Sequence, residues 1–513
     1  MKRNEFIRRL GLLSGGVAFS LQNMPLRAFA YNPLQLAWEA TNGSILVLVQ
    51  LSGGNDGLNT VVPYQHDTYY ARRPTLAIPK TQVLPITDKL GLHPALKALR
   101  ELYDQGKVSL VQNVGYQNPN RSHFRSTDIW LSGSAADEYW TEGWIGRYLA
   151  KAFPQFPMVL PEQPMAIQIG SAESMLTLSQ LGSTGVVFDN PEAFYQLVKG
   201  TPVETNTALD TPAGDELRFL QQVAAQSVQY SEIIKKKADA GKNVITYPNT
   251  GLGRQLAIVA GLIAGGMQTP VYLTTLGGFD THAGQVNTGN VTSGAHANLL
   301  QTMADALAAF QKDLDRQGLA NRVTVMTFSE FGRRVNQNGT TGTDHGTAAP
   351  LFVVGNTVRG GLVGSAPNLN DLDSNGDLKF TNDFRQVYAS VLRDHLGVDA
   401  ATTQRILGQE FETLPIFRRT SAPLASADGV VLEQNTPNPF QDVTEILYSL
   451  STAQYARLCL YDMQGRELMV LREGHHDKGV YTVQLTGYGL APGYYLYSLQ
   501  TDAARKVLRL IKA

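Results

Sequence analysis

A chain of 513 residues with 43% hydrophobic and 17% charged side chains can fold, but it is too long for one simple core, so two or three domains are expected. Lys+Arg 43 against Asp+Glu 44 leaves a formal net charge of -1 with no basic run or acidic tail, which argues against nucleic acid as a partner. Cys459 is the single cysteine, so an intrachain disulfide and a cysteine-based metal cluster are both excluded.

In chain order, residues 1–30 read as an export signal. Lys2, Arg3, Arg8 and Arg9 are positive, Leu10 to Leu21 is a short apolar stretch, and Ala28-Phe29-Ala30 is an A-x-A cleavage site. Arg8-Arg9 followed by "LGLL" resembles a twin-arginine signal, with the general secretory route as the alternative. Ile45 to Leu51 is a continuous apolar run ending in Gly-Gly, the pattern of a buried parallel strand. "HPALKALRELYDQG" has helical spacing and a terminal Gly, and "VSLVQNVGY" reads as a second strand. About Thr201 to Met267 is helical in pattern. "PVYLTTLGGFD" is a third strand and "HANLLQTMADALAAFQKDLDRQG" an amphipathic helix. "RVTVMTFSEFG" is a fourth strand, "APLFVVGNTVRGGLVG" a fifth with a turn, and "TNDFRQVYASVLRDHLG" a helix. This alternation predicts an α/β domain with a mostly parallel sheet flanked by helices over residues 31–419. A Ser/Pro/Ala-rich linker is expected over 420–432, and short alternating strands predict a small all-β sandwich over 433–513. No later segment has the length and apolarity of a membrane helix.

Sites in a parallel α/β sheet lie beyond the carboxyl ends of the strands. Asn55 and Asp56 follow the first strand, and Ser122, His123, Ser126, Thr127 and Asp128 follow the second. Asp280 and His282 follow the third. Ser329 and Glu330 follow the fourth, with Asp344 and His345 past a polar loop. Carboxylates and neutral imidazoles are the usual ligands of zinc or manganese, and carboxylates alone suit magnesium or calcium, so this set points to metal-assisted chemistry. Each element has a plainer reading. Asp56 could cap a helix, Asp280-Thr281-His282 could be a polar turn, and Glu330 could pair with Arg333 or Arg334. Ser122 could be a helix cap beside His123 as a satisfied surface residue, and His296 could face solvent. "DLDSNGDLKFTND", Asp371 to Asp383, opens like a calcium loop but has Asn382 at the twelfth position, and reads as an Asx-rich turn.

"LVQLSGGNDGLNTVVP", "QNVGYQNPNRSHFRSTDIWLSG", "GGFDTHAGQ", "FSEFGRRVNQNGTTGTDHGTAAP" and "DFRQVYASVLRDHLG" closely resemble the DUF1501 family, over about Ile45 to Gly397. That resemblance implies the alkaline phosphatase-like fold and an exported metal-dependent hydrolase of phosphate or sulfate esters. It implies Asp56, Asp280, His282, Glu330, Asp344 and His345 as ligands of divalent ions (Zn, Mg, Mn or Ca). It implies Ser122 as nucleophile, with Ser126 and Thr127 as alternative registers. His282 follows Asp280 more closely than the superfamily's usual spacing, which leaves His296 as the alternative ligand. Glu330 stands where relatives carry an Asp-His pair, which puts a second metal site in question. The alternative function is a non-catalytic cell-surface binding or assembly protein on the same fold, and a transferase is a third reading. "LEQNTPNPFQDVTEILYSL", "YDMQGRE" and "LAPGYYLYSL" resemble the type A sorting domain of type IX secretion substrates. This implies the export and type IX machineries as partners, beside an ester substrate, and a secreted or outer-membrane surface location.

Overall fold

The computed structural model describes residues 43–154, 156, 160–199, 227–418, 429–432, 435, 438, 440–502 and 504–512. The export signal, most of the linker and the first part of the helical middle section lie outside the described residues. The chain divides into two compact units, Met1–Arg418 and Arg419–Ala513.

The first unit is built on a nine-stranded sheet. Its strands are β1 (Ile45–Ser52), β2 (Val108–Gly115), β3 (Ala166–Ile169), β4 (Gly185–Phe188), β5 (Val271–Gly277), β6 (Val323–Phe328), β7 (Ala349–Gly355), β8 (Gly361–Val363) and β9 (Asn382–Asp383). The order is β8-β2-β7-β6-β1-β5-β3-β4, with β9 also paired to β2. β1 lies parallel to β5 and β6 at the centre. β7 is antiparallel to both its neighbours, and the other pairings are parallel. The reversal has a local cause. Residues 329–348 between β6 and β7 contain no helix, whereas a parallel return needs a crossover of a dozen or more residues, usually helical.

Period-two alternation divides β1 between two cores. Ile45, Val47, Val49 and Leu51 face helices α1 (Lys97–Asp104), α4 (Gly251–Ala264) and α5 (Ala295–Arg316). Leu46 and Leu48 join the opposite cluster with α2 (His123–Ser132), α3 (Trp144–Ala152) and α6 (Phe384–Ser390). The sheet is thus sandwiched between two helical layers, which explains why its central strands are uniformly apolar. Two features were not expected from the sequence. β3 and β4 extend the sheet beyond β5, and α6 passes into a π-helical turn, Val391–His395, rather than continuing as one helix. Among the described residues no helix is long and apolar enough to cross a membrane.

The second unit has seven strands: β10 (Val430–Leu432), β11 (Val443–Leu450), β12 (Gln454–Tyr461), β13 (Glu467–His476), β14 (Gly479–Thr486), β15 (Gly493–Thr501) and β16 (Arg505–Lys512). They form two antiparallel sheets, β10-β11-β14 and β13-β12-β15-β16. Ile446, Tyr448, Leu458, Leu460, Tyr497, Leu499 and Leu510 belong to one buried cluster drawn from both sheets. Cys459 is buried and free.

Candidate metal centre

Four polar segments meet where β1, β5 and β6 end and α2 begins. Gly53 and Gly54, both at positive φ (119° and 79°), close β1. A Cβ on Gly53 would strike the Asp280 backbone, and one on Gly54 the Phe331 ring. Glycine is therefore required for these strand ends to approach. Gly342 and Gly346 do the same further on, since a Cβ at either would meet the backbone of His282 or Arg333.

Arg333 clamps the assembly from below. Its fully buried side chain donates to the carbonyls of Gly54 (2.7 Å), Thr343 (2.8 Å), Phe279 (3.1 Å) and Gly53, and to Asp280 Oδ1 (2.7 Å). The Asp280 carboxylate then stands 47% exposed at the surface of the cleft. Its partial burial would raise its pKa, but the hydrogen bond and charge of Arg333 outweigh that and hold it below the ordinary carboxylate value.

Three imidazoles gather on this carboxylate. His282 Nε2 lies 3.1 Å and His345 Nε2 3.2 Å from Asp280 Oδ1, and the two Nε2 atoms are 2.9 Å apart. His123 Nε2 lies 3.5 Å from Asp280 Oδ2. His123, Asp280 and His345 each bring a ligand atom within 4.8 Å of the others. In every ring the other nitrogen has an acceptor. His345 Nδ1 is 2.8 Å from the Arg121 carbonyl, His282 Nδ1 3.0 Å from Asp344 Oδ1, and His123 Nδ1 2.8 Å from Glu330 Oε1. A carbonyl and two carboxylates only accept, so each Nδ1 carries a proton, and wherever the ring is neutral its Nε2 presents a lone pair. Two neutral rings whose Nε2 atoms lie 2.9 Å apart beside a carboxylate need either a proton shared between them or a cation among them. Ligand atoms around a tetrahedral ion bound at 2.0–2.1 Å are about 3.3–3.4 Å apart, and the 2.9, 3.1, 3.2 and 3.5 Å spacings found here bracket that distance. Burial also lowers the His345 pKa, which favours its neutral, ligating form.

The residues expected from the sequence divide into two groups. Asp280 and His345 belong, with His123, to the group whose ligand atoms lie within 4.8 Å of one another, and His282 stands beside that group with Nε2 3.1 Å from Asp280 Oδ1. Asp344 and Glu330 stand behind them as acceptors that orient His282 and His123, and Asn338 Nδ2 also donates to Asp344 Oδ1 (3.1 Å). Glu330 is nearly buried, takes the Gly53 N–H (2.8 Å), and does not pair with Arg333 or Arg334 as the plainer reading expected. Asp56 is outside the cluster. It is fully buried, its two oxygens accept from Arg73 Nη1 (2.8 and 2.6 Å), and Gln285 Nε2 donates to Oδ2 (2.6 Å). Burial would raise the Asp56 pKa, but the Arg73 charge brings it below the ordinary value. A guanidinium supplies the positive charge there, and Asp56 brings no atom to the cluster. His296 is neither solvated nor in the cluster, but buried with Nε2 3.0 Å from Asn55 Oδ1, and burial pushes its pKa to about 4.

Ser122 is the N-cap of α2 and is exposed, and its hydroxyl makes no capping bond. It sits between Arg121, whose carbonyl holds His345, and His123. Ser126, by contrast, is buried, sharing a hydrogen bond with the Tyr116 hydroxyl (2.8 Å) and donating to the Glu330 carbonyl, while Thr127 is half-buried in α2. His123 stands among the strand-end residues expected from the sequence but outside the implied ligand set, with a satisfied surface residue as its plainer reading. Its signal was available, because it occupies the same post-β2 segment as Ser122, but only the fold brings Glu330 to its Nδ1. The Asp371–Asp383 loop is the Asx turn expected. Asp373 Oδ1 accepts from the Asn375 and Asp377 N–H groups (both 2.8 Å), and Arg121 pairs with Asp377.

Residues 194–412 match the family model described as "Protein of unknown function (DUF1501)". The match starts later than the resemblance read from the motifs and leaves out the segments after β1 and β2. No curated protein matches the chain. Among solved structures, a Bacteroides thetaiotaomicron protein from a locus for glycosaminoglycan metabolism aligns at 10% identity and TM-score 0.34, over 85% of this chain and 90% of its own. A sulfatase from Pseudoalteromonas sp. aligns at 10% identity and TM-score 0.30, over 89% and 88%. A protein of the alkaline phosphatase superfamily from Vibrio parahaemolyticus aligns at 10% identity and TM-score 0.30, over 84% and 86%. Likeness this distant bears on neither the activity nor the site.

Proposed function

We propose that the protein is an exported metal-dependent hydrolase of phosphate or sulfate esters, working at a single divalent ion held by Asp280, His282, His345 and His123. The observation that carries this reading is the convergence of three Nε2 atoms on one carboxylate, each fixed by an acceptor behind the ring. Imidazole nitrogens with one carboxylate suit zinc or manganese better than magnesium or calcium. Such an ion supplies a Lewis acid for the ester oxygen and lowers the pKa of a bound hydroxyl.

The chain's own groups do the rest. Arg121 and Arg334 reach the cluster through their backbones, the Arg121 carbonyl at His345 and the Arg334 N–H at the Asp344 carbonyl (3.0 Å), while both guanidiniums lie beside Asp377. The exposed Ser122 hydroxyl attacks phosphorus or sulfur and loses its proton, and the alcohol leaves carrying one. Water then cleaves the seryl ester, releasing the inorganic anion and restoring the hydroxyl. The N-terminal signal and the C-terminal sandwich supply the export part of the reading, with surface attachment or release through the type IX machinery.

Metal analysis of the mature protein, with a panel of aryl phosphate, phosphodiester and sulfate esters, tests the proposal. We expect about one ion per chain, lost in Asp280→Ala. Turnover of at least one ester class should be lost in Ser122→Ala with the ion retained. An Asp280→Ala protein with unchanged metal content overturns the site. A loaded protein that turns over no ester leaves the second reading, a metal-dependent surface binding protein. That reading is favoured by Asp56 being neutralised by Arg73, which leaves no partner ion for two-metal chemistry.

A further inference from the structure

Behind Phe331 the fold leaves a pocket of about 280 Å³, formed where β2 ends, β7 begins and the Asp371–Asp383 loop crosses them. Its walls include Tyr116, Trp130, Phe331, Leu378 and Phe380, and its polar residues include Lys379 and Asp373. We propose that this pocket binds an aromatic ring, and that it receives the leaving-group end of an aryl ester whose anionic end lies at the Asp280 cluster. The second half of this proposal rests on the hydrolase reading. The first half does not.

Three observations support it. Phe331 is shared between the two places. It lines the pocket, and its ring centroid lies 4.9 Å from that of His123 and 4.6 Å from that of His345. One side chain therefore separates the cavity from two of the imidazoles, about the reach of an ester whose two ends differ in character. Four of the lining side chains, Tyr116, Trp130, Phe331 and Phe380, are aromatic, and aromatic pairs favour offset and edge contacts. A cavity of about 150 Å³ lined by apolar side chains already accepts benzene, so this one has room for a substituted or fused ring. Trp130 lines the pocket as well. It is 4% exposed, and its indole Nε1 has no hydrogen-bond partner. The apolar walls would exclude the charged end of the substrate, since burying an unpaired charge is costly. In the reaction this implies, the bond between phosphorus or sulfur and the aryl oxygen breaks. The phenol leaves with a proton, and water supplies the oxygen that remains on the anion.

The test has a binding arm and a turnover arm. Calorimetry with 2-naphthol, and with cyclohexylmethanol as the non-aromatic control, is run on the full-length mature protein, wild type and two variants. Leu378→Trp fills the pocket, and Phe380→Ala removes a half-buried wall ring with little risk to folding. We expect sub-millimolar binding of 2-naphthol, preference over the control, and at least tenfold weaker binding in both variants at unchanged circular dichroism. Equal binding of both alcohols, or binding of 2-naphthol untouched by either variant, overturns the pocket. In the turnover arm, the ratio of kcat/KM for naphthyl over methyl esters should fall at least tenfold in Phe380→Ala. An unchanged ratio with intact turnover sinks the link to the cluster, whereas failure of every ester on the metal-loaded protein sinks the hydrolase reading and leaves the binding result standing.

Discussion

Asp56 and Asp280 follow neighbouring parallel strands, β1 and β5, and the fold treats them in opposite ways. Asp56 lies at zero exposure with Arg73 and Gln285 on its oxygens, so its countercharge is covalently part of the chain. Asp280 stands half exposed, with Arg333 on Oδ1 and three imidazole nitrogens 3.1–3.5 Å from its oxygens. The difference teaches that position at a strand end does not by itself make a carboxylate a ligand. What decides is whether the surrounding side chains present donors or acceptors.

The comparison breaks most sharply at Arg73. Arg73→Met strands a buried carboxylate, and we expect a loss of about 3–5 kcal/mol in chemical denaturation, with most of it recovered when Asp56→Asn is added. A loss below about 1 kcal/mol would mean that Asp56 finds another cation. Next in size is the acid response of the buried side. His93, His296 and His395 are held neutral by burial, with pKa values of about 3, 4 and 4. Unfolded histidine titrates near 6.5, so between that pH and about 4 the unfolded chain takes up protons that the folded chain refuses. Stability should therefore fall as pH falls through this window, by up to about 3 kcal/mol per histidine at pH 4, read from urea midpoints at stepped pH. His296→Gln should flatten the slope.

On the exposed side, Asp344→Asn removes the charge that fixes His282, and a 10- to 100-fold drop in metal affinity by chelator competition is expected, about 1.4–2.7 kcal/mol. The smallest effect is the most discriminating. Asp56→Asn should leave metal affinity within about twofold, and a loss comparable to that of Asp344→Asn would place Asp56 back in the site.

Much of this was legible beforehand, and the reasons differ by residue. The apolar runs at Ile45, Val271 and Val323 are strands buried on both faces, and such runs advertise themselves. The polar residues after them had to gather at one edge once the strands were parallel, which is how Asp280, His282, Asp344 and His345 could be named together. The direction of β7 was not legible from its own residues, because a buried strand has the same pattern either way. The helix-free stretch over residues 329–348 was the signal for its reversal. His123 stayed outside the implied ligand set because a histidine at the start of a helix looks like a surface residue until the segment it faces is known.

The sequence by itself determined the long apolar strands and the amphipathic helices, the split between an α/β unit and a β unit, and the segments from which a site could be drawn, because these follow from local periodicity and turn chemistry. Only the tertiary structure decided the roles. Arg73 and Asp56 are 17 residues apart, and His123 and Glu330 are 207 apart. Whether a carboxylate meets a guanidinium, an N–H or a lone pair depends on side-chain contacts across the sheet that no local pattern encodes. Electrostatic partnership acts over a few ångströms of space, and only the folded chain places these side chains that close.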